Sequence, residues 1–342
     1  MAYTFEFRRY RLPFRAPLRT AHGPWSEREG MLVKLTDETG RAGYGEAAPL
    51  AWFGTETADE IEAVCRELGS VVDDQRLDAI PQRFGCLKNA LGAAREAENA
   101  RPSQHPHLAV AALLPAGRPA LGLVEARAEA GFRIFKWKVG VGDAAEELAL
   151  LDDLCGMLPS GGKLRLDANG AWDRRLAERW LERCAERPVE LVEQPCFAAA
   201  SEGAARRTKS DDLLLGLAGD FPTPLALDES ITGGADIERW IGLGWPGVFV
   251  VKTALLAEVD AALARLAKAK APVVFSSVLE TAVGARAALR TAFAWTGEPR
   301  ALGFGVWPLF ADARFDGPYS AAFLRPDDIE RLNPESVWTA LS

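Results

Sequence analysis

Six charged residues stand where short apolar runs end, and their types limit the chemistry open to them. The stretch Ile134-Phe-Lys-Trp-Lys-Val139 reads as a β-strand, so Lys136 and Lys138, two residues apart, leave from one face. Asp167 follows Leu164-Arg-Leu, Glu193 follows Val189-Glu-Leu-Val, Asp228 follows Leu225-Ala-Leu, and Lys252 follows Val248-Phe-Val-Val. Three carboxylates brought into one cavity repel one another strongly unless a cation joins them. A hard divalent ion that takes oxygen ligands answers that problem, Mg²⁺ first and Mn²⁺ as the alternative. A scattered salt bridge would account for any one carboxylate, and a snorkelling or surface position for any one lysine. The full set outweighs those readings. It suits removal of a proton α to a carboxylate, because the enolate dianion left behind needs the positive charge of a metal and ammonium groups. A lysine crowded by other cations has its pKa lowered toward neutrality and can act as the base. Arg165 and Asn169 share the face of Asp167. They either position a substrate or metal ligand, or serve as a salt bridge and a strand-end turn residue; the two readings stand level. Glu229 and Ser230 stand behind Asp228 and support it rather than touch a ligand.

Convergence of these groups requires a scaffold. From Leu108 onward, short apolar runs alternate with amphipathic stretches, starting near residues 108, 133, 163, 189, 224, 247, 272 and 301. Eight such units predict a (β/α)8 barrel, whose active sites lie at the C-terminal ends of the strands. A doubly wound sheet would carry a glycine-rich phosphate turn, and neither GxGxxG nor GxxxxGK[ST] occurs. Asp167, Glu193 and Asp228 then end neighbouring strands three, four and five. Lys136 and Lys138 on strand two face Lys252 on strand six across the ring. The longest interval holds Ala198 to Asp220, read as an insertion around the apolar Leu213 to Leu217 stretch with an exposed polar part from Arg206 to Asp212.

Residues 1–104 read as an α+β capping domain, 105–308 as the barrel, and 309–342 as a segment returning to the cap. Tyr3 to Leu12, Met31 to Leu35 and Gly43 to Glu46 predict an antiparallel meander, with helical spacing in Thr57 to Leu68 and Gln82 to Asn99. Ala16 to Glu29 and Pro49 to Gly54 read as loops, and loops with exposed aromatics often contact ligands.

The 40 Lys and Arg against 48 Asp and Glu give a net charge of −8, which favours neither nucleic acid nor an anionic membrane. Met1 to Phe14 lacks the apolar core of a signal peptide, and no apolar run reaches membrane-span length. Five scattered cysteines without CxxC spacing point to reduced thiols in a cytoplasm. The partner implied is a small-molecule substrate; monomer and dimer both stay open. His22 falls in a capping loop, and His105-Pro-His107 precedes the first barrel strand, away from the chemistry, so a surface or structural role is expected.

Lys136-Trp-Lys138, Asp167-Ala-Asn169, Glu193-Gln-Pro195, Asp228-Glu-Ser230 and Lys252, in this order and spacing, resemble the enolase superfamily in its muconate-lactonising subgroup. The resemblance spans nearly the whole chain, and within the subgroup it is greatest to the o-succinylbenzoate synthases. It implies an enolase-like cap and barrel and a Mg²⁺-dependent dehydration of a cyclohexadiene carboxylate in menaquinone or phylloquinone biosynthesis. It also implies roles: Lys138 removes the α-proton and later protonates the leaving hydroxyl, Lys252 stabilises the enediolate by a cation-π contact, Lys136 assists electrostatically, and Asp167, Glu193 and Asp228 hold the metal. Loops around His22 to Trp25 and Trp52 to Gly54 would close over the substrate. Racemases and epimerases share these motifs, N-succinylamino acid racemases above all. Dipeptide epimerases carry an Asp-x-Asp near strand eight, where this chain has Leu302-Gly-Phe-Gly-Val306. Ser276-Ser-Val-Leu-Glu280 is similar to the synthases, with Ser276 or Ser277 accepting the succinyl chain. A non-catalytic descendant that binds a small acid is the remote alternative.

Overall fold

In the computed structural model, residues 1–20, 23–96, 102–199 and 202–341 are described. The chain opens with a long hairpin, β1 (Ala2–Thr20) against β2 (Gly23–Asp37), to which β3 (Ala42–Ala47) and β4 (Val71–Asp73) add in the order β3-β2-β1-β4. The stretch read as a loop over Ala16 to Glu29 is therefore largely strand. Its pairing resumes at Leu18 opposite Trp25 after a register shift beyond Pro13. Its sequence shows no apolar alternation to announce a strand, and Leu18 and Trp25 are only half-buried.

Helices α1 (Ala58–Leu68), α2 (Asp74–Asp78) and α3 (Gly85–Arg95) follow. Thr57 and Glu60 form a reciprocal capping box that starts α1. Phe84 offers α3 no side-chain cap; the buried carboxylate of Glu56 instead accepts the Leu87 N–H at 3.0 Å. Phe5, Met31, Val33 and Leu35 from the sheet pack with Ile61, Cys65, Leu87 and Leu91 from α1 and α3, and the same core contains Ala254, Leu255 and Val278 from far along the chain.

After a short pair, β5 (Leu108–Ala109) with a later strand, the parallel strands β6 (Ala112–Leu114), β7 (Ile134–Lys138), β8 (Lys163–Asp167), β9 (Val189–Glu193), β10 (Leu225–Leu227), β11 (Val248–Val251) and β12 (Val273–Phe275) hydrogen-bond in sequence order. Helices α4 (Leu121–Glu129), α5 (Ala144–Met157), α6 (Arg174–Cys184), α7 (Ala204–Asp220), α8 (Gly234–Gly242), α9 (Val259–Lys268) and α10 (Ala282–Phe293) link or follow them. The expected insertion is α7, a barrel helix whose Leu214 and Leu217 are buried. Leu108 does not begin the first barrel strand; β5 pairs antiparallel with β13 (Phe323–Leu324).

The eighth position is reduced to bridges, Leu302 with Val110 and Gly303 with Ser276. Gly303, Gly305 and Pro308 around it weaken any longer ladder. Trp137 faces outward onto Trp180, 6.3 Å between ring centres. Leu191, Ala226, Val248, Val250 and Val274 form a separate apolar cluster on the inner faces of β9 to β12. Beyond β13, α11 (Pro326–Glu330) stays on the barrel, its Glu330 pairing with Arg286 at 2.8 Å and Arg290 at 2.5 Å on α10, and α12 (Pro334–Ala340) reaches the cap, where the Arg8 guanidinium lies 4.3 Å over the Trp338 ring and donates to its carbonyl at 2.5 Å.

Candidate active site

The ladder registers decide which side chains meet. Lys138 pairs with Asp167 and Asp167 with Glu193, so the three stand side by side at the strand ends; Lys136 lies one layer deeper beside Arg165. Neighbours in register on parallel strands share a face. Since Phe135 and Trp137 are buried among the helices, the two lysines project inward, as their spacing predicts. Asp228 follows β10 and Lys252 follows β11. Lys136 Nζ is 2.9 Å from Asp167 Oδ2 and 2.6 Å from Glu193 Oε1, while Lys252 Nζ is in direct contact with Asp228 Oδ1. The Lys252 ammonium also lies 5.0 Å from the centre of the Phe53 ring, which comes from the capping domain.

The backbone beyond these strands is bent to present them. Asn169 (φ 44°) and Gln194 (φ 39°) both occupy the left-handed region, uncommon for residues with a side chain. The Asn169 N–H donates to Asp167 Oδ1 at 3.2 Å, and its amide donates to Glu229 Oε1 at 2.9 Å. The Gln194 carbonyl oxygen accepts from the N–H groups of Asp228 (2.9 Å) and Ser230 (3.2 Å), and its amide donates to Ser230 Oγ and the Cys196 carbonyl, each at 2.8 Å. Gln194 thus stitches the end of β9 to the end of β10. In the sequence it stands within Glu193-Gln-Pro195, a motif that gave it no role of its own.

Charge is crowded here. Burial first, and then the charge of Asp167, push the Glu193 carboxyl well above the carboxylate range. Glu229 is pushed up to about 8 by burial and by Asp228 and Asp167. Burial also opposes ionisation of Asp228, but Lys252 and Lys136 outweigh it and hold that carboxyl low. Burial opposes the charge on Lys136, yet Asp167, Glu193 and Asp228 hold its ammonium above the ordinary lysine range.

Among the described residues no three His, Cys, Asp or Glu side chains stand in a ready metal-binding array. The ammonium groups of Lys136 and Lys252 occupy carboxylate oxygens that an ion would take. The donor set nevertheless fits a hard cation: three carboxylates, each at most 8% exposed, with the buried Asn169 Oδ1 and Glu229 Oε2 left without a partner behind them.

Other expectations are redirected. Arg165 does not reach the strand ends: it pairs with Glu190 at 2.7 Å and donates to the Ala301 carbonyl at 2.7 Å, both near strand beginnings. Its fixed fork matches that carboxylate at the barrel floor, so the salt-bridge reading prevails over substrate contact. Ser276 shares the inward parity of Val274 and lies beside Gly303, where an added Cβ would come within 2.6 Å of its Oγ. Ser277 is instead spent on Glu280, its hydroxyl donating to Oε2 at 2.8 Å. Trp52 packs edge-on against Trp25 at 4.7 Å, and Gly54 (φ 90°) closes the turn Ala51–Phe53. In that loop Phe53 is the ring that reaches a lysine. Leu113, unmarked in the sequence, pairs with Lys136, faces the barrel interior, and is 45% exposed there. His22 lies outside the described residues. His105 Nε2 meets the Trp295 carbonyl at 2.8 Å, and His107 packs on Phe323.

Two family profiles match the chain: "Enolase C-terminal domain-like" over residues 121–322 and "MenC, N-terminal domain" over residues 3–85. The o-succinylbenzoate synthase of Thermosynechococcus vestitus is 38% identical over 308 residues, covering 88% of this chain and 92% of that protein. The chain belongs to the o-succinylbenzoate synthase family. Within that family, the o-succinylbenzoate synthase of Thermobifida fusca is 30% identical over 89% of this chain and 83% of its own length. The crystal structure of o-succinylbenzoate synthase from Thermosynechococcus elongatus, complexed with Mg in its active site, superposes with a TM-score of 0.82 at 34% identity, covering 98% of this chain and 99% of that one. The enolase-superfamily cap and barrel expected from the motifs are thereby established.

Proposed function

We propose that this chain is an o-succinylbenzoate synthase, dehydrating 2-succinyl-6-hydroxy-2,4-cyclohexadiene-1-carboxylate to o-succinylbenzoate. The observation that carries the reading is the set of three buried carboxylates in register, flanked by lysines from strands on opposite sides of the barrel. Asp167, Glu193 and Asp228 would hold Mg²⁺, as the family's crystal structure holds Mg in its active site. When bound, the ion supplies positive charge against the substrate carboxylate, whose acidity at the α-carbon rises accordingly.

The chain's own residues do the rest. Lys138 takes the α-proton; the electron pair of that C–H bond delocalises into the carboxylate as an enolate dianion. Lys252 places its ammonium against the anionic face, and Lys136 keeps Asp167 and Glu193 oriented and compensated. As the C–O bond at the neighbouring ring carbon breaks, Lys138 returns its proton to the departing hydroxide, giving water and an aromatic ring. One lysine can serve both steps because proton and hydroxyl leave from the same face. Ser276 and the backbone at Gly303 border the space for the succinyl chain, and Leu113 walls the ring side.

The five free cysteines support work in a reducing cytoplasm, and among the described residues no helix is long and apolar enough to cross a membrane. The test is loss of diene absorbance with Mg²⁺, then with excess EDTA. Turnover that vanishes on chelation and falls about 10³-fold in Lys138→Ala is expected for loss of a general base. Folded, Mg²⁺-loaded protein that leaves the diene untouched but exchanges the α-proton of an N-succinylamino acid would replace this reading with a racemase.

A further inference from the structure

Lys252 is delivered by the barrel but gripped by the cap. It precedes a single turn, Thr253–Leu255, closed by Leu255 N–H to the Lys252 carbonyl and Leu256 N–H to the Thr253 carbonyl, both at 3.0 Å. Helix α3 lies across that turn. The Asn89 amide donates to the Thr253 carbonyl at 2.9 Å and to the Leu256 carbonyl at 3.3 Å. The approach is so close that a Cβ at Gly85 would stand 2.6 Å from the Leu255 carbonyl oxygen. Ala254 and Leu255 are members of the cap's own core. The start of α3 is in turn fastened by Glu56, three residues after Phe53, the ring that lies over the Lys252 ammonium. One tied unit of the cap therefore touches Lys252 in front through Phe53 and holds its backbone from behind through Asn89.

We infer that Asn89 is a positioning residue for Lys252, fixing the turn that sets where the ammonium stands; this rests on the role of Lys252 proposed above. The turn already closes with its own backbone bonds, so the two Asn89 bonds add placement rather than formation. Asn89 also lines a groove of about 720 Å³ between the cap and the barrel helices, so a substitution there meets open space. A side chain that misplaces a reacting group by about 1 Å can cost about 100-fold in rate.

Asn89→Leu removes the donors, and Asn89→Asp removes them while keeping the shape. Lys88→Met is the control, because the neighbouring ammonium donates to the Asp78 and Ile80 carbonyls wholly within the cap. Both Asn89 variants are expected to lose about 10- to 100-fold in kcat with KM within about twofold of wild type. Lys88→Met keeps kcat even if its thermal midpoint falls as far. The second readout needs no turnover: labelling of Lys252 by an amine-reactive sulfonate, read by peptide mass. Its rate is expected to rise at least about fivefold in the Asn89 variants, as the turn opens more often, and to stay level in Lys88→Met. Unchanged labelling, or a kcat loss shared in proportion by Lys88→Met, overturns the inference. A wild-type enzyme without dehydration activity would sink the assignment of function instead, leaving labelling to decide the positioning.

Discussion

Glu46 is the sharpest probe of how the cap is fastened to the barrel. It lies at the end of β3, is 2% exposed, and accepts from four groups: the Tyr10 hydroxyl at 2.5 Å, the Thr281 N–H at 2.9 Å, the Gly284 N–H at 2.9 Å, and the Thr281 hydroxyl. A carboxylate of the cap thus caps α10 of the barrel, at the end where the helix dipole favours negative charge. Glu46→Ala strands two backbone donors and two hydroxyls in a dry interface. At about 1.5–3 kcal/mol for each charge-assisted bond, reduced by repacking and water entry, the loss should come to about 4 kcal/mol. Glu46→Gln can turn its oxygen toward Thr281 and Gly284 and its amide toward the Tyr10 oxygen, so it should cost only about 1 kcal/mol. Urea unfolding, followed by tryptophan fluorescence and far-ultraviolet circular dichroism together, reads both values. An Ala variant within about 1 kcal/mol of wild type, or a Gln variant as damaged as the Ala variant, would refute the argument.

Three further outcomes follow from the geometry. The Glu280 carboxyl, buried and facing Glu46, is pushed from 4.5 up to about 7, so folding favours its protonated form. Its contribution is intact below the ordinary carboxylate range and is lost as pH rises through 7; Glu280→Gln should therefore gain on the order of 3 kcal/mol relative to wild type between pH 4.5 and 8 in urea titrations, and an unchanged difference would refute this. Gly303→Ala places a methyl against Ser276 and should lower kcat/KM about tenfold, while in a Ser276→Gly background the same alanine should cost little; additive losses in the double-mutant cycle would count against the clash. Arg165→Met leaves the half-buried Glu190 with Arg300 at 3.3 Å and the charge of Lys163 nearby, and should cost about 2 kcal/mol of stability with KM within about twofold, whereas a large KM rise would restore Arg165 to the substrate.

The legible part of this protein was the part written in local periods. Alternation in Ile134 to Val139 and the short runs before Asp167, Glu193, Asp228 and Lys252 report strand ends, because period and burial are properties of a few consecutive residues. Register was less accessible: Ser276 and Ser277 differ by one step of a pleat, and only the pairing of Val274 with Val250 inside the barrel separates them. Arg165 shows the limit of face arguments, since a residue can face inward and still reach downward. Phe53, Asn89 and Glu46 were illegible because their partners lie tens to hundreds of residues away, and Arg28 because its carbonyl partners are scattered from the next residue to Leu279, 251 positions on. Arg28 is the extreme case: a buried guanidinium with no carboxylate in contact among the described residues, donating to the carbonyls of Ala48, Pro49, Glu29 and Leu279. Nothing in its own neighbourhood of sequence distinguishes it from a surface arginine.

The presence of Ala254, Leu255 and Val278 in the core beneath β1 to β3 bears on how such a chain could be recombined with its relatives. A crossover near residue 104 would look natural on a linear map, yet it would give each incoming cap three foreign core residues and leave the outgoing one with a hole of the same shape. The unit that could move intact is discontinuous: the amino-terminal sheet and helices together with the turns after β11 and β12. Laboratory chimaeras that carry those two turns across with the cap should express and fold where simple two-piece fusions aggregate. Divergence in this lineage would accordingly be expected to proceed by paired substitutions across that seam rather than by exchange of whole modules.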